Sequence, residues 1–191
     1  MMKVKRQQEI DMVIYNFMIG DQVTITLDGF GTFTATAQKV MDCGTLFLFD
    51  DCVCRKSMNE RSTNKGGFAE SSLRKWMNEE LFEAFPDDLK ELMVQFDNGD
   101  NLTLPSYGQM FGHDDFYEDA MEPDQDEQLE LMKNRKNRVC DCDGDWCWYW
   151  LSNATKKEWS ASHFAFVTSN GAATDSSASG SNGVRPAFLI A

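Results

Sequence analysis

Residues 146–190 read WCWYWLSNATKKEWSASHFAFVTSNGAATDSSASGSNGVRPAFLI, and how this stretch folds decides the class of the protein. Trp146, Trp148 and Trp150 alternate, which predicts a strand carrying three indoles on one side. Residues 163–167 form a second expected strand and 184–190 the last. Between them lie 152–162 and 168–182, two runs of Ser, Ala, Asn, Gly and Thr. That composition suits linkers and long turns. Here it is confined between aromatic strands, so the small residues read as loops on a rigid frame.

Working back toward the N-terminus, residues 23–27 and 32–40 are β-rich and flank Asp28-Gly29-Phe30-Gly31, a hairpin signal. Residues 45–49 give a third strand. The polar stretch 59–67 reads as a loop. Ser71 or Ser72 then caps a helix whose Leu73, Trp76 and Met77 share a face, and Pro86 ends that segment. Residues 89–96 predict a turn followed by a strand. Residues 102–104 predict another strand, and Pro105-Ser106 opens a short helix through Met110. The acidic tract 114–127 reads as a solvated loop and helix start. At the extreme N-terminus, Ile10, Val13, Ile14 and Phe17 make a helical stripe, so residues 1–19 are expected to be a helical appendage and 20–191 the domain. Strands and helices mix without regular β-α-β alternation, which gives the α+β class.

With 42% hydrophobic and 12% aromatic residues the chain can bury a sizeable core, which argues against wholesale disorder. Its net charge of −13 disfavours nucleic acid and anionic membranes as partners, since both demand a basic face. No signal-peptide pattern or span-length apolar run occurs, so a cytoplasmic or virion location is expected. Six cysteines are present: 43, 52, 54, 140, 142 and 147. The pairs Cys52/Cys54 and Cys140/Cys142 place both sulfurs of each on one strand face, a possible thiolate zinc site. Reduced, partly buried structural cysteines are the alternative. Asp141, Asp143 and Asp145 do not match a calcium loop.

His113 and His163 are the two histidines, His113 among acids and His163 on a strand face toward solvent. No nucleophile elbow, zinc-protease, P-loop or dinucleotide fingerprint occurs. Neither catalysis nor a cofactor is expected.

Several blocks carry a resemblance. Trp148-Tyr149-Trp150-Leu151, Phe164-Ala165-Phe166-Val167, Gly171 and Gly183-Val184-Arg185-Pro186-Ala187-Phe188 follow one another in order. Together with 71–78, 102–112 and 131–138 they resemble an uncharacterised domain family of gut bacteria and their phages. The ending is also similar to the C-type-lectin-like fold of formylglycine-generating enzymes and of the variable proteins of diversity-generating retroelements. The chain departs from the first pattern in reading W-Y-W-L-S where relatives carry W-W-L-R-S.

This resemblance implies short twisted sheets, a few helices and a C-terminal strand that closes the domain. It implies a non-catalytic binder of a protein or cell-surface ligand, with a variable region over about 147–188. The residue types between the aromatic anchors are those that adenine-directed mutagenesis produces. The contact positions implied are Tyr149, Asn153, Thr155, Ser160, Ser162, His163, Ser169, Asn170, Thr174, Asp175 and Ser177. Arg185 is expected to pair with a carboxylate or with backbone carbonyls. Two alternatives stand beside this reading: an oxidase using Cys140, Cys142 and Cys147 with a metal, and a structural phage or surface component. Polar turns without any partner remain the plainest account of the same residues.

Overall fold

The computed structural model describes residues 16–113 and 118–191. The expected N-terminal helix falls almost wholly outside the described residues, and residues 16–19 are not helical. The hairpin forms as the Asp-Gly signal predicts: β1 (Gln22–Leu27) pairs antiparallel with β2 (Gly31–Met41), and β3 (Gly44–Phe49) follows. After β4 (Cys54–Ser57) comes α1 (Ser72–Trp76). Ser71 caps α1 by accepting from the Arg74 N–H, which satisfies one of its orphan donors. A π-helical turn, Met77–Leu81, continues the chain. Arg74 also forks onto the Asp100 carboxylate, tying α1 to the 98–100 turn.

The turn α2 (Asp87–Lys90) leads to the two-residue β5 (Met93–Val94). Next is α3 (Tyr107–Phe111), opened by a reciprocal capping box between Ser106 and Gln109. The tight hairpin β6 (Cys140–Cys142) and β7 (Asp145–Cys147) turns on Asp143-Gly144. Both turn residues have positive φ, 59° and 84°, the geometry that Asp-Gly adopts most readily. The spacing that does not match a calcium loop is therefore a hairpin turn.

The C-terminal half departs from expectation in three ways. First, the tryptophan run is not one strand. Chain direction changes at Trp148, between β7 and β8 (Tyr149–Ala154). Trp150 is fully buried, with its indole N–H donating to the Lys56 carbonyl at 2.9 Å, whereas Trp146 and Trp148 remain 73% and 50% exposed. Second, β9 (His163–Val167) forms as predicted, but the small-residue run after it is not a long loop. It contains β10 (Ala173–Ser177) and the first half of β11 (Ser181–Val184). Third, the expected final strand is cut at Arg185-Pro186, and β12 (Ala187–Ile190) belongs to a different sheet from β11. Proline has no N–H to continue a ladder, so the chain changes sheets there.

One five-stranded sheet runs β1-β2-β3-β12-β5 and the other β10-β9-β8-β11-β4. The α+β class holds. Pairing is antiparallel except between β8 and β11, which meet in parallel at Tyr149 and Gly183. The C-terminal strand β12 lies inside the first sheet, between β3 and β5.

Alternating side chains of β3 and β12 enter two cores. Phe47, Phe49, Phe188 and Ile190 join Trp150 and Phe164 in one; Leu46, Leu48 and Leu189 join Tyr149, Leu151 and Val167 in the other. Burial on both faces explains why these strands read as unbroken apolar runs. Phe188 is the hub, with the rings of Phe47, Phe49 and Phe85 at 5.6–5.8 Å from its own. Such pairs add about 0.5–1.5 kcal/mol each beyond their burial. No helix among the described residues is long and apolar enough to cross a membrane.

Candidate functional site

The eleven sequence-predicted contact residues separate into three groups. Tyr149, Asn153 and Thr155 are buried, and this corrects their expected display. The Tyr149 hydroxyl donates to the Arg138 carbonyl at 2.7 Å and accepts from the Arg185 guanidinium at 3.0 Å. Burial foremost pushes its phenol well above the ordinary tyrosine range.

Asn153 turns inward because β8 carries an irregularity against β9. Trp150 pairs with Phe166 but Ala154 with Phe164, so 151–153 bulge from the ladder. The Asn153 amide oxygen accepts from the Tyr107 N–H at 2.7 Å, and its amide donates to the Glu122 carbonyl and the Asp124 carboxylate. Asp124 also takes the Gly108 N–H, so part of the acidic tract is structural rather than solvated. Thr155 donates to the Ser160 carbonyl at 2.7 Å, and Asn64 donates to the carbonyls of Thr155 and Ser160. These bonds fix the turn that carries residues 156–162.

The second group gathers at one end of the β9–β10 hairpin. His163 and Ser177 pair across the strands, as do Ala165 and Asp175, so all four share a face. His163 Nδ1 lies 2.6 Å from Asp175 Oδ2, and the Trp159 indole N–H donates to Asp175 Oδ1 at 3.3 Å. One carboxylate thus holds an imidazole and a 53%-exposed indole. Ser160 and Ser162 lie 3.2 Å apart, and Ser177 contacts Ser62 at 2.6 Å and Ser179 at 3.2 Å. With Nδ1 donating, a neutral imidazole keeps Nε2 as an acceptor. Among the described residues no hydroxyl or thiol bonds to that nitrogen.

Ser169 and Asn170 form the third group, on the turn at the opposite end of this hairpin, roughly 14 Å away along five strand residues. The Trp148 indole, stacked over Phe166 at 5.5 Å, donates to Ser169 Oγ at 3.4 Å. Arg135 donates to the Asn170 carbonyl. Thr174 pairs with Phe166 across the strands and is half-buried. The hairpin therefore carries two exposed indoles, one near each end.

Inside the molecule, Cys52, Cys140, Cys142 and Cys147 converge although Cys52 and Cys140 are 88 residues apart; the sulfurs of those two lie 3.2 Å from one another. The C-x-C spacing pairs Cys52 with Cys54, but Cys54 stands outside this group, its thiol raised to about 11 by burial. Burial also pushes Cys52 up. Hydrogen bonding with Cys52 foremost, and then the charge of Arg55, bring Cys147 down to about 7. Gly183 is packed against this group: a Cβ there would sit 2.4 Å from the Cys52 sulfur and 2.6 Å from that of Cys147. Among the described residues no three His, Cys, Asp or Glu side chains are arranged to hold a metal ion.

Nothing in the sequence marks Trp159, Ser62 and Asn64 as parts of the hairpin surface, because their partners lie far along the chain. The alternation of His163 with Phe164 and Phe166 is the one local signal. A family model described as a domain of unknown function (DUF6273) matches residues 43–191, and the chain belongs to that family. The β1–β2 hairpin precedes the matched region yet packs into the same core. No curated protein and no solved structure matches the chain.

Proposed function

We propose that this member of the DUF6273 family is a non-catalytic ligand-binding protein that uses the open end of its C-terminal sheet. The observation that carries this reading is Trp159, half-exposed and oriented by Asp175, which also holds His163. Ser160, Ser162 and Ser177 surround them. A rigid aromatic anchor beside adaptable hydroxyls is the composition of binding surfaces. The scaffold is read as C-type-lectin-like and the ligand as a protein or cell-surface molecule. Retroelement diversification is proposed for the solvent-reaching positions Ser160, Ser162, His163, Ser169, Asn170, Thr174, Asp175 and Ser177. Burial removes Tyr149, Asn153 and Thr155 from that set.

Sequencing the gene across its natural population tests the proposal. Substitutions are expected to concentrate at those eight positions and to spare the three buried ones. Even variation along the gene overturns diversification. Binding is tested separately by applying the purified protein and its Trp159→Ala variant to immobilised glycans and intact bacterial cells. Retention by the wild type with at least a tenfold loss in the variant is expected, and equal retention overturns the anchor role.

A further inference from the structure

On a different part of the molecule, a cleft of about 430 Å³ opens between the β1–β2 hairpin and the segment 131–139. Its volume lies within the range of small-molecule sites. Two of its lining side chains are almost fully buried and incompletely bonded. Arg185, 3% exposed, donates from Nε to the Phe49 carbonyl at 2.7 Å and from Nη1 to the Asn137 carbonyl and the Tyr149 hydroxyl. Its Nη2 has no acceptor among the described residues, and no carboxylate forms an ion pair with it. Gln38, 2% exposed, donates to the Thr36 carbonyl, while its Oε1 has no partner among the described residues.

Buried donors and acceptors are nearly always paired, and a buried guanidinium lacking a counter-charge is costlier still. The unbonded Nη2 of Arg185 at the cleft points to an anionic ligand group that completes it, while Gln38 Oε1 is sealed within the cleft wall. The rim adds charges of both signs. Lys136 is exposed and forms no ion pair among the described residues. Asp51 accepts from the Asp141 N–H through Oδ1 alone, leaving Oδ2 open. Both oxygens of Asp50, by contrast, are already occupied by Thr36 and Gln22.

We propose that this cleft binds a free α-amino acid, its carboxylate on Arg185 Nη2 and its ammonium on Asp51 Oδ2. The opposite charges of Arg185 and Asp51 stand apart without pairing, which suits a zwitterion better than a simple anion. Nη2 carries the two N–H groups that the bonds to Phe49, Asn137 and Tyr149 leave free, and a charge-assisted bond from it to a carboxylate is roughly twice as strong as a neutral one.

The test is calorimetric titration of the full chain with the common free L-amino acids. The N-acetyl forms, which lack the ammonium, the amides, which lack the carboxylate, and inorganic phosphate serve as comparisons. At least one free amino acid is expected to bind with Kd below about 1 mM, and its N-acetyl and amide forms at least tenfold more weakly. Arg185 also supports Phe49 and Asn137, so a substitution there risks the fold. Asp51→Asn and Asp51→Ala, checked for an unchanged circular dichroism spectrum, are each expected to weaken binding about tenfold, the worth of one charge-assisted bond. Failure of every free amino acid to bind overturns the proposal. So does binding of phosphate alone, or binding unaffected by both variants.

Discussion

Strands β8 and β10 belong to one sheet and carry similar small polar residues, yet they use them in opposite ways. β8 is central, between β9 and β11, and its Asn153 is buried and bonded to the distant Tyr107 and Asp124. β10 is an edge strand with one neighbour, and Thr174, Asp175, Ser176 and Ser177 stay half-buried. A polar side chain in the first position is structural because water cannot replace its partners. In the second position it can change while water makes up the difference. Composition therefore does not separate structural polar residues from replaceable ones; position in the sheet does.

The sharpest way to break this contrast is at the centre. Trp150→Ala would leave a large void and an unpaired Lys56 carbonyl, with an expected loss of about 3–5 kcal/mol in urea unfolding. Asn153→Ala comes next. It strands the Tyr107 N–H and strips the Asp124 carboxylate of a donor, for an expected loss of about 2–3 kcal/mol by the same measurement. A loss under about 0.5 kcal/mol at Asn153 would mean that water reaches the bulge and that the two strands do not differ as argued.

A smaller effect concerns the thiols beneath β11. Cys147 has its folded-state value lowered to about 7 from an ordinary value near 9. Between those values the unfolded chain binds the extra proton, so stability rises with pH. The contribution is complete above about pH 9 and is lost as pH falls through about 7. Burial raises Cys52, Cys54 and Cys142, which oppose this gain as pH nears 9, so urea midpoints should slope upward from pH 7 to about 8 in the wild type and less so in Cys147→Ser. Equal slopes would show that the buried group titrates as a unit without depressing this thiol.

Local signals are legible where physics is local. Asp28-Gly29 announces the β1–β2 turn, Ser71 the start of α1, and Pro105-Ser106 the start of α3. The apolar runs of β3 and β12 are visible as strands, although their burial on both faces is not. What sequence does not reveal depends on distant partners. Cys52 meets Cys140 across 88 residues, and Asn64 meets Thr155 across 91. The bulge at 151–153 has no glycine or proline to mark it, so Asn153 reads as one of the small loop residues of 152–162. Pro186 suits a strand edge or start by its missing N–H, and the structure makes it the point where the chain leaves one sheet for another.

The smallest expected effect carries the functional side of the comparison. Thr174→Ala and Ser176→Ala lie on the edge strand, and no hydrogen bond ties their hydroxyls to another side chain among the described residues. Each should shift the urea unfolding free energy by less than about 0.5 kcal/mol. Because the scaffold is held by Phe164, Phe166 and Trp150 on the neighbouring strands, the circular dichroism spectrum should also be unchanged. An edge that tolerates such changes can be rewritten without loss of fold, which is the physical condition a diversified surface must meet. If instead Thr174→Ala destabilised the protein as much as Asn153→Ala, β10 would contribute to stability no less than β8 does. The eight solvent-reaching positions would then have no special freedom to vary, and the binding surface would have to be sought around Trp146 and Trp148 instead.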